Sequence, residues 1–184
     1  RLQRRVKDMV LPAVARDERR FKERLRVGSL SSDLHAHVTA YLLADLFEHH
    51  DRSAVDVFAY SCGPDDGGEL RARIRRSVEH FVDVAPLEDR AAAQRIRDDR
   101  IDVLLDVNGY TQGARNSITA LRPAPVQVNY LGYPGTMGAE FIDYIVVDHF
   151  VFRDGDRRHF TEQPVFMPGC YAPAAPVRRA APPS

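Results

Sequence analysis

Apolar residues between positions 26 and 171 recur in two alternating rhythms. Short runs of β-branched and aromatic residues read as buried strands: Arg26–Leu30, Val55–Ser61, Phe81–Val84, Ile101–Val107, Val126–Leu131, Tyr144–Val147 and Val165–Met167. Between them, apolar residues three and four apart read as helix faces. Leu42, Leu43, Leu46 and Phe47 mark a helix over 38–49, and Leu70, Ile74 and Val78 mark the next. An Ala- and Arg-rich stretch predicts a helix over 88–99, and a short one follows over 114–121. Regular alternation of strand and helix predicts an α/β fold, a Rossmann-like three-layer domain with a parallel sheet covered on both faces.

The pattern weakens at both ends. Leu2, Val6, Met9 and Val10 fall at helical spacing, Pro12 interrupts, and Val14, Phe21 and Leu25 resume a thin stripe. Residues 1–24 therefore read as a basic helical connector, residues 25–171 as the Rossmann-like domain, and residues 172–184, rich in Ala, Pro and Arg, as a disordered tail. The chain begins with Arg1 instead of Met, which reads as a fragment or a trimmed chain. No internal repeat is visible.

Charge divides the same way. The formal net charge is zero over 184 residues, yet residues 1–26 carry a net +6 and the remainder a net −6. Nothing global points to nucleic acid or membrane, and no apolar run approaches the length of a membrane span. Cys62 and Cys170 lie far apart without metal-type spacing and read as two reduced thiols of a cytoplasmic protein. The arginines of the helices (Arg71, Arg73, Arg75, Arg76; Arg90, Arg95, Arg97, Arg100) are interspersed with acids and read as solvated faces.

Candidate chemistry sits in the loops after strands. The first strand ends in Ser31-Ser32-Asp33-Leu34-His35-Ala36-His37, not in the glycine fingerprint of dinucleotide-binding proteins. Ser32 and Asp33 are candidate N-caps for the next helix. On position alone His37 reads as a surface residue, but it stands at the sheet edge where sites form. His35, His49 and His50 show no HExxH-type arrangement, which argues against metal. Pro64-Asp65-Asp66-Gly67-Gly68 is turn chemistry. Asn108-Gly109-Tyr110-Thr111 follows the fourth strand, as either a turn with a helix cap or a loop offering Thr111 and helix N–H groups to an anion or sugar. The loop Gly132-Tyr133-Pro134-Gly135-Thr136-Met137-Gly138 follows the fifth, as either a structural turn or a close backbone approach to a sugar.

The ordered set of these spellings resembles the catalytic region of the O-linked N-acetylglucosamine transferases, glycosyltransferase family 41 with its SPINDLY-like and bacterial-type members. The segments are Arg26-Val27-Gly28 through Ser31-Ser32-Asp33 and His37; Val57-Phe58-Ala59-Tyr60-Ser61 with Pro64-Asp65-Asp66; and His80-Phe81-Val82-Asp83. Next come Asn108-Gly109-Tyr110-Thr111 with Gly113-Ala114-Arg115-Asn116, Leu121-Arg122-Pro123-Ala124-Pro125-Val126-Gln127, and Leu131-Gly132-Tyr133-Pro134-Gly135-Thr136. Asp143-Tyr144-Ile145, Phe160-Thr161-Glu162 and Met167-Pro168-Gly169-Cys170-Tyr171 complete it.

The resemblance covers about residues 25–171 and implies the N-terminal half of a two-domain GT-B glycosyltransferase. It implies inverting transfer of N-acetylglucosamine from UDP-N-acetylglucosamine to Ser or Thr of acceptor proteins, without a cofactor or metal. Tetratricopeptide repeats are expected upstream, and a UDP-binding half-domain downstream, without which this half is inactive. His37 matches the active-site histidine, considered in the family as a base for the acceptor hydroxyl. Asp33, Asn108, Gly109, Tyr110, Thr111, Gly132, Tyr133, Pro134, Gly135 and Thr136 are expected on the substrate side. Arg97 departs from the pattern where some relatives carry His, and residues 149–159 are charged and irregular. The alternatives are a degenerate half-domain that binds protein partners through its basic arm, and an unrelated nucleotide-binding Rossmann domain.

Overall fold

A computed structural model describes residues 24–173. The predicted helix over 1–25 lies almost wholly outside the described residues, as does the tail beyond Pro173. The elements run β1 (Leu25–Ser31), α1 (Val38–His49), β2 (Val55–Ser61), α2 (Glu69–Ser77), β3 (His80–Asp83), α3 (Asp89–Asp98), β4 (Val103–Asp106), α4 (Asn116–Ala120), β5 (Val126–Asn129), β6 (Tyr144–Val147) and β7 (Gln163–Phe166). A 3₁₀ turn, Asp156–His159, lies within the segment expected to be irregular. The strands form one sheet of order β3-β2-β1-β4-β5-β6-β7, with every pairing parallel.

Two cores explain why the sheet stands. On one face Val57, Ala59 and Val107 pack with Leu43, Ala44 and Phe47 of α1 and Ile74 of α2. On the other, Leu30, Phe58, Tyr60 and Leu104 pack with Ala92, Ala93 and Ile96 of α3 and Ile118 of α4. Each fully buried Ile or Leu contributes on the order of 2 kcal/mol of transfer free energy. With both faces covered, the central strands read as nearly continuous apolar runs, which is why they were visible in the sequence.

Three expectations are corrected. The fourth and fifth strands are shorter than their apolar runs. The chain leaves the sheet after Asn129, and Leu131 takes a left-handed φ of 76° to turn into the loop. The tail does not begin at Ala172: Tyr171 and Ala172 pack against the first core, and Asp148 Oδ2 accepts the Tyr171 N–H at 2.8 Å. Arg71 is not on a solvated face. It is 4% exposed, and its guanidinium donates to Ser61 Oγ at 2.7 Å and Leu34 O at 3.2 Å. It also pairs with Asp65 at 3.0 Å and Asp83 at 3.2 Å, which ties α2 to the loops after β1, β2 and β3. Glu79 makes a second knot beside β3, accepting from Val57 N, His50 Nε2 and Arg52.

Candidate active site

Strand order reverses direction between β1 and β4. In open parallel sheets, the crevice beyond the carboxyl ends of the strands at such a switch point is where ligands bind. Here the loops after β1 and β4 diverge from that point, and the loop after β5 folds back to meet them. Together they enclose a cleft of about 550 Å³. Asp33, His35 and His37 line it from the first loop, Thr111, Gln112 and Gly113 from the second, and Gly132 from the third. Pro64 closes the side next to the Asp65-Asp66 turn.

Asn108 joins the first two loops. It is 3% exposed. Its Oδ1 accepts the Ser32 N–H at 2.7 Å, and its Nδ2 lies 2.8 Å from Asp33 Oδ2, 3.0 Å from Ser32 Oγ and 3.1 Å from Thr111 Oγ1. Ser32 Oγ donates in turn to Asp33 Oδ1 at 2.8 Å. Ser32 and Asp33 are therefore occupied with one another and with Asn108, and the expectation that they cap the next helix is corrected. The N-cap of α1 is His37 itself, in extended backbone, with Nδ1 accepting the Thr39 N–H at 3.3 Å.

That cap has a chemical consequence. A ring nitrogen that accepts a hydrogen bond carries no proton, so the neutral imidazole holds its hydrogen on Nε2. Asp33 Oδ2 lies 3.6 Å from the same Nδ1, in range to face an imidazolium but beyond a hydrogen bond. His37, whose side chain is 42% exposed, thus presents an N–H donor to a ligand while its other nitrogen is held by the helix.

The second and third loops interlock. Gly109 has a φ of 58°, and a Cβ there would lie 2.5 Å from Tyr133 Cβ. A Cβ on Gly132 would lie 2.2 Å from Val107 O. Tyr110 donates its hydroxyl to Met137 O at 2.7 Å, and its ring meets that of Tyr133 edge-on. Asn129 Nδ2 donates to Tyr133 O and Gly135 O at 3.0 Å each. Thr136 Oγ1 donates to Glu162 Oε2 at 2.7 Å, and Glu162 Oε1 accepts the Met137 N–H at 2.6 Å.

Of the sequence candidates, the structure thus brings Asp33, His37, Thr111 and Gly132 to the cleft, with Asn108 bracing it from beneath. Gly109, Tyr110, Tyr133, Pro134, Gly135 and Thr136 belong to the interlocked rim alongside, and the rim carbonyls of Tyr133 and Gly135 are already bonded within the protein. Sequence reading missed Arg71, Asp106, Asn129 and Glu162 as supports, and Gln112 and Gly113 as lining. Among the described residues no cluster of three or more His, Cys, Asp or Glu could hold a metal ion, and no helix is long and apolar enough to cross a membrane.

The model of glycosyl transferase family 41 matches residues 11–173. The chain belongs to that family. It is 44% identical over 149 residues to a probable UDP-N-acetylglucosamine–peptide N-acetylglucosaminyltransferase, SEC, of Arabidopsis thaliana, a match covering 81% of this chain and 15% of that protein. It is 45% identical over 147 residues to the UDP-N-acetylglucosamine–peptide N-acetylglucosaminyltransferase of Caenorhabditis elegans, covering 79% of this chain and 13% of that one. The solved structure of an O-GlcNAc transferase mutant from Thermobaculum terrenum superposes with a TM-score of 0.81 at 35% identity, covering 85% of this chain and 30% of that chain. This family 41 chain therefore spans a small part of the length of the relatives it matches.

Proposed function

We propose that this chain is the N-terminal half of the catalytic region of an inverting protein O-glycosyltransferase, which moves N-acetylglucosamine from UDP-N-acetylglucosamine to Ser or Thr of acceptor proteins. The observation that carries the reading is the convergence of the loops after β1, β4 and β5 on one cleft with His37 in it, in a chain of family 41. In such a transfer the acceptor hydroxyl oxygen attacks the anomeric carbon, the bond from that carbon to the diphosphate breaks, and the hydroxyl proton passes to a base. His37 contributes an Nε2–H donor to an oxygen of the sugar or acceptor. Asp33 and Asn108 hold its loop, and the rim of Gly132 to Thr136 shapes the floor beside it.

The charge of the departing UDP falls to a downstream half-domain rather than to a metal, as the family resemblance implies. Upstream tetratricopeptide repeats and a cytoplasmic location belong to the same reading. The test is transfer of labelled N-acetylglucosamine to protein Ser or Thr by the full-length protein, compared with its His37→Ala variant and with residues 1–184 alone. Loss of His37 is expected to slow transfer by about 10²-fold or more, the worth of a preorganised hydrogen-bond donor, and residues 1–184 to show none, since one wall does not position two substrates. Undiminished transfer by a folded His37→Ala variant would refute the role of His37. Robust transfer by residues 1–184 would refute the half-site reading.

A further inference from the structure

Two buried acceptor oxygens, on residues paired across neighbouring strands beneath the cleft, have no donor. Asp106 ends β4, Asn129 ends β5, and the two are register partners, so their side chains leave the same face of the sheet. Asp106 is 4% exposed and Asn129 is fully buried. One oxygen of Asp106, Oδ1, accepts the N–H groups of Asn108 at 3.1 Å and Gly109 at 3.0 Å. The Asn129 amide nitrogen serves the other loop, donating to Tyr133 O and Gly135 O. What remains is Asp106 Oδ2 and Asn129 Oδ1, and neither has a hydrogen-bond partner. Flipping the Asn129 amide does not help, because it would turn its oxygen onto two carbonyl oxygens.

Buried polar atoms are nearly always paired, and a single proton settles both of these. We propose that Asp106 is a neutral carboxylic acid in the folded protein and donates its O–H to Asn129 Oδ1, a positioning contact that couples the Asn108–Thr111 loop to the Gly132–Thr136 loop. The path is continuous: backbone N–H of Asn108 and Gly109, Asp106, Asn129, backbone carbonyls of Tyr133 and Gly135. Burial pushes the Asp106 carboxyl upward, opposed by those two backbone N–H groups. The ionisable groups that sense its charge are Cys62 at the end of β2 and Tyr110 in the loop above. Both groups are neutral or anionic, burial raises both, the thiol to about 12, and among the described residues no cationic side chain acts on the Asp106 carboxyl to hold it ionised. The inference stands apart from glycosyl transfer, and its readouts do not depend on activity.

The experiment is isotope-edited infrared spectroscopy of the protein at neutral pH, with ¹³C-labelled Asp. A protonated carboxyl C=O band is expected, shifted by the label, absent from Asp106→Asn and displaced in Asn129→Ala. Asp106→Asn keeps an acceptor for the loop N–H groups and offers N–H to Asn129, so it is expected to preserve the melting temperature. Asp106→Ala and Asn129→Ala are each expected to raise amide exchange in both loops by about 10-fold or more, a local opening. The sign of the pH dependence follows from the raised carboxyl: stability falls as pH climbs from the ordinary carboxylate range, and Asp106→Asn abolishes that slope. No protonated band in the native protein, a band unmoved by Asn129→Ala, or an Asp106→Asn variant as unstable as Asp106→Ala would each overturn the proposal.

Discussion

Truncating Asn108 to Ala tests whether the wall of the cleft is held by one side chain. The substitution leaves the Ser32 N–H without its 2.7 Å acceptor and removes the amide donor 2.8 Å from the Asp33 carboxylate. An orphaned buried N–H costs about 1–3 kcal/mol, and a lost hydrogen bond to a charged group about 1.5–3 kcal/mol. Asp33 keeps its bond from Ser32 Oγ, which argues for the lower half of the second range, so the expected loss is about 3–5 kcal/mol. Against a typical total of 5–15 kcal/mol that is a large fraction, equivalent to a fall in melting temperature of about 10 °C. Urea unfolding followed by circular dichroism measures it, with an unchanged m-value as the control for the denatured state.

The isosteric Asn108→Asp variant adds a sign. It places a new carboxylate against that of Asp33, and two such groups do not both ionise. Their shared proton is held more tightly when folded, so this variant is expected to gain stability as pH falls from 7 toward 5. A loss below about 1 kcal/mol for Asn108→Ala, the value of an ordinary surface change, would refute the bracing role.

Glu162 is the matching support on the far side of the rim. Glu162→Ala strands the buried Met137 N–H and removes the Thr136 acceptor, for an expected loss of about 3 kcal/mol, while Glu162→Gln is expected to recover all but about 1 kcal/mol by calorimetry. Burial pulls Glu79 upward, but the Val57 N–H and His50 outweigh it and hold the carboxyl below its ordinary 4.5. Its contribution is therefore present above the ordinary carboxylate range and lost as pH falls through its folded value. Glu79→Gln is expected to flatten the acid limb of the stability–pH curve, and an unchanged limb would contradict this.

The layer order and the three site loops were legible because they depend on periodicity and on turn chemistry. Blocks such as Val55–Ser61 can sit only in a sheet covered on both sides, and Asn108-Gly109 and Gly132 to Gly138 mark where the chain must turn sharply. What periodicity does not carry is the partner of a polar group. His37, not Ser32 or Asp33, caps α1, because those two residues are drawn across the switch point by Asn108, a contact 75 residues away in sequence. Arg71 looks like any other arginine of its helix until α2 is laid against Ser61 and Asp83. A signal was nevertheless present: Asp106, Gln127 and Asn129 interrupt strands that must be buried on both faces, and each such residue demands a partner. Gln127 finds Thr119 O and Phe141 O, at 2.8 and 2.6 Å. Asp106 accepts from the Asn108 and Gly109 N–H groups and Asn129 donates to Tyr133 O and Gly135 O, which leaves one oxygen on each without a partner.

The use of polar groups in the rim bears on how the cleft can act. Carbonyls of Tyr133, Gly135 and Met137, the hydroxyl of Thr136 and the amide of Asn108 are all bonded to other protein groups. A ligand entering the cleft therefore meets a surface that is already fixed, and its binding has little loop ordering to offset. The same arrangement limits what this wall contributes directly. The carbonyls of Tyr133, Gly135 and Met137 are already satisfied within the protein, which leaves the imidazole N–H that the α1 cap turns outward as a side-chain donor facing the cleft. Substitutions that loosen Asn108, Glu162 or Asp106 should thus weaken function by displacing His37 and the rim, whereas His37→Asn, which keeps a donor, should retain part of the function that His37→Ala removes.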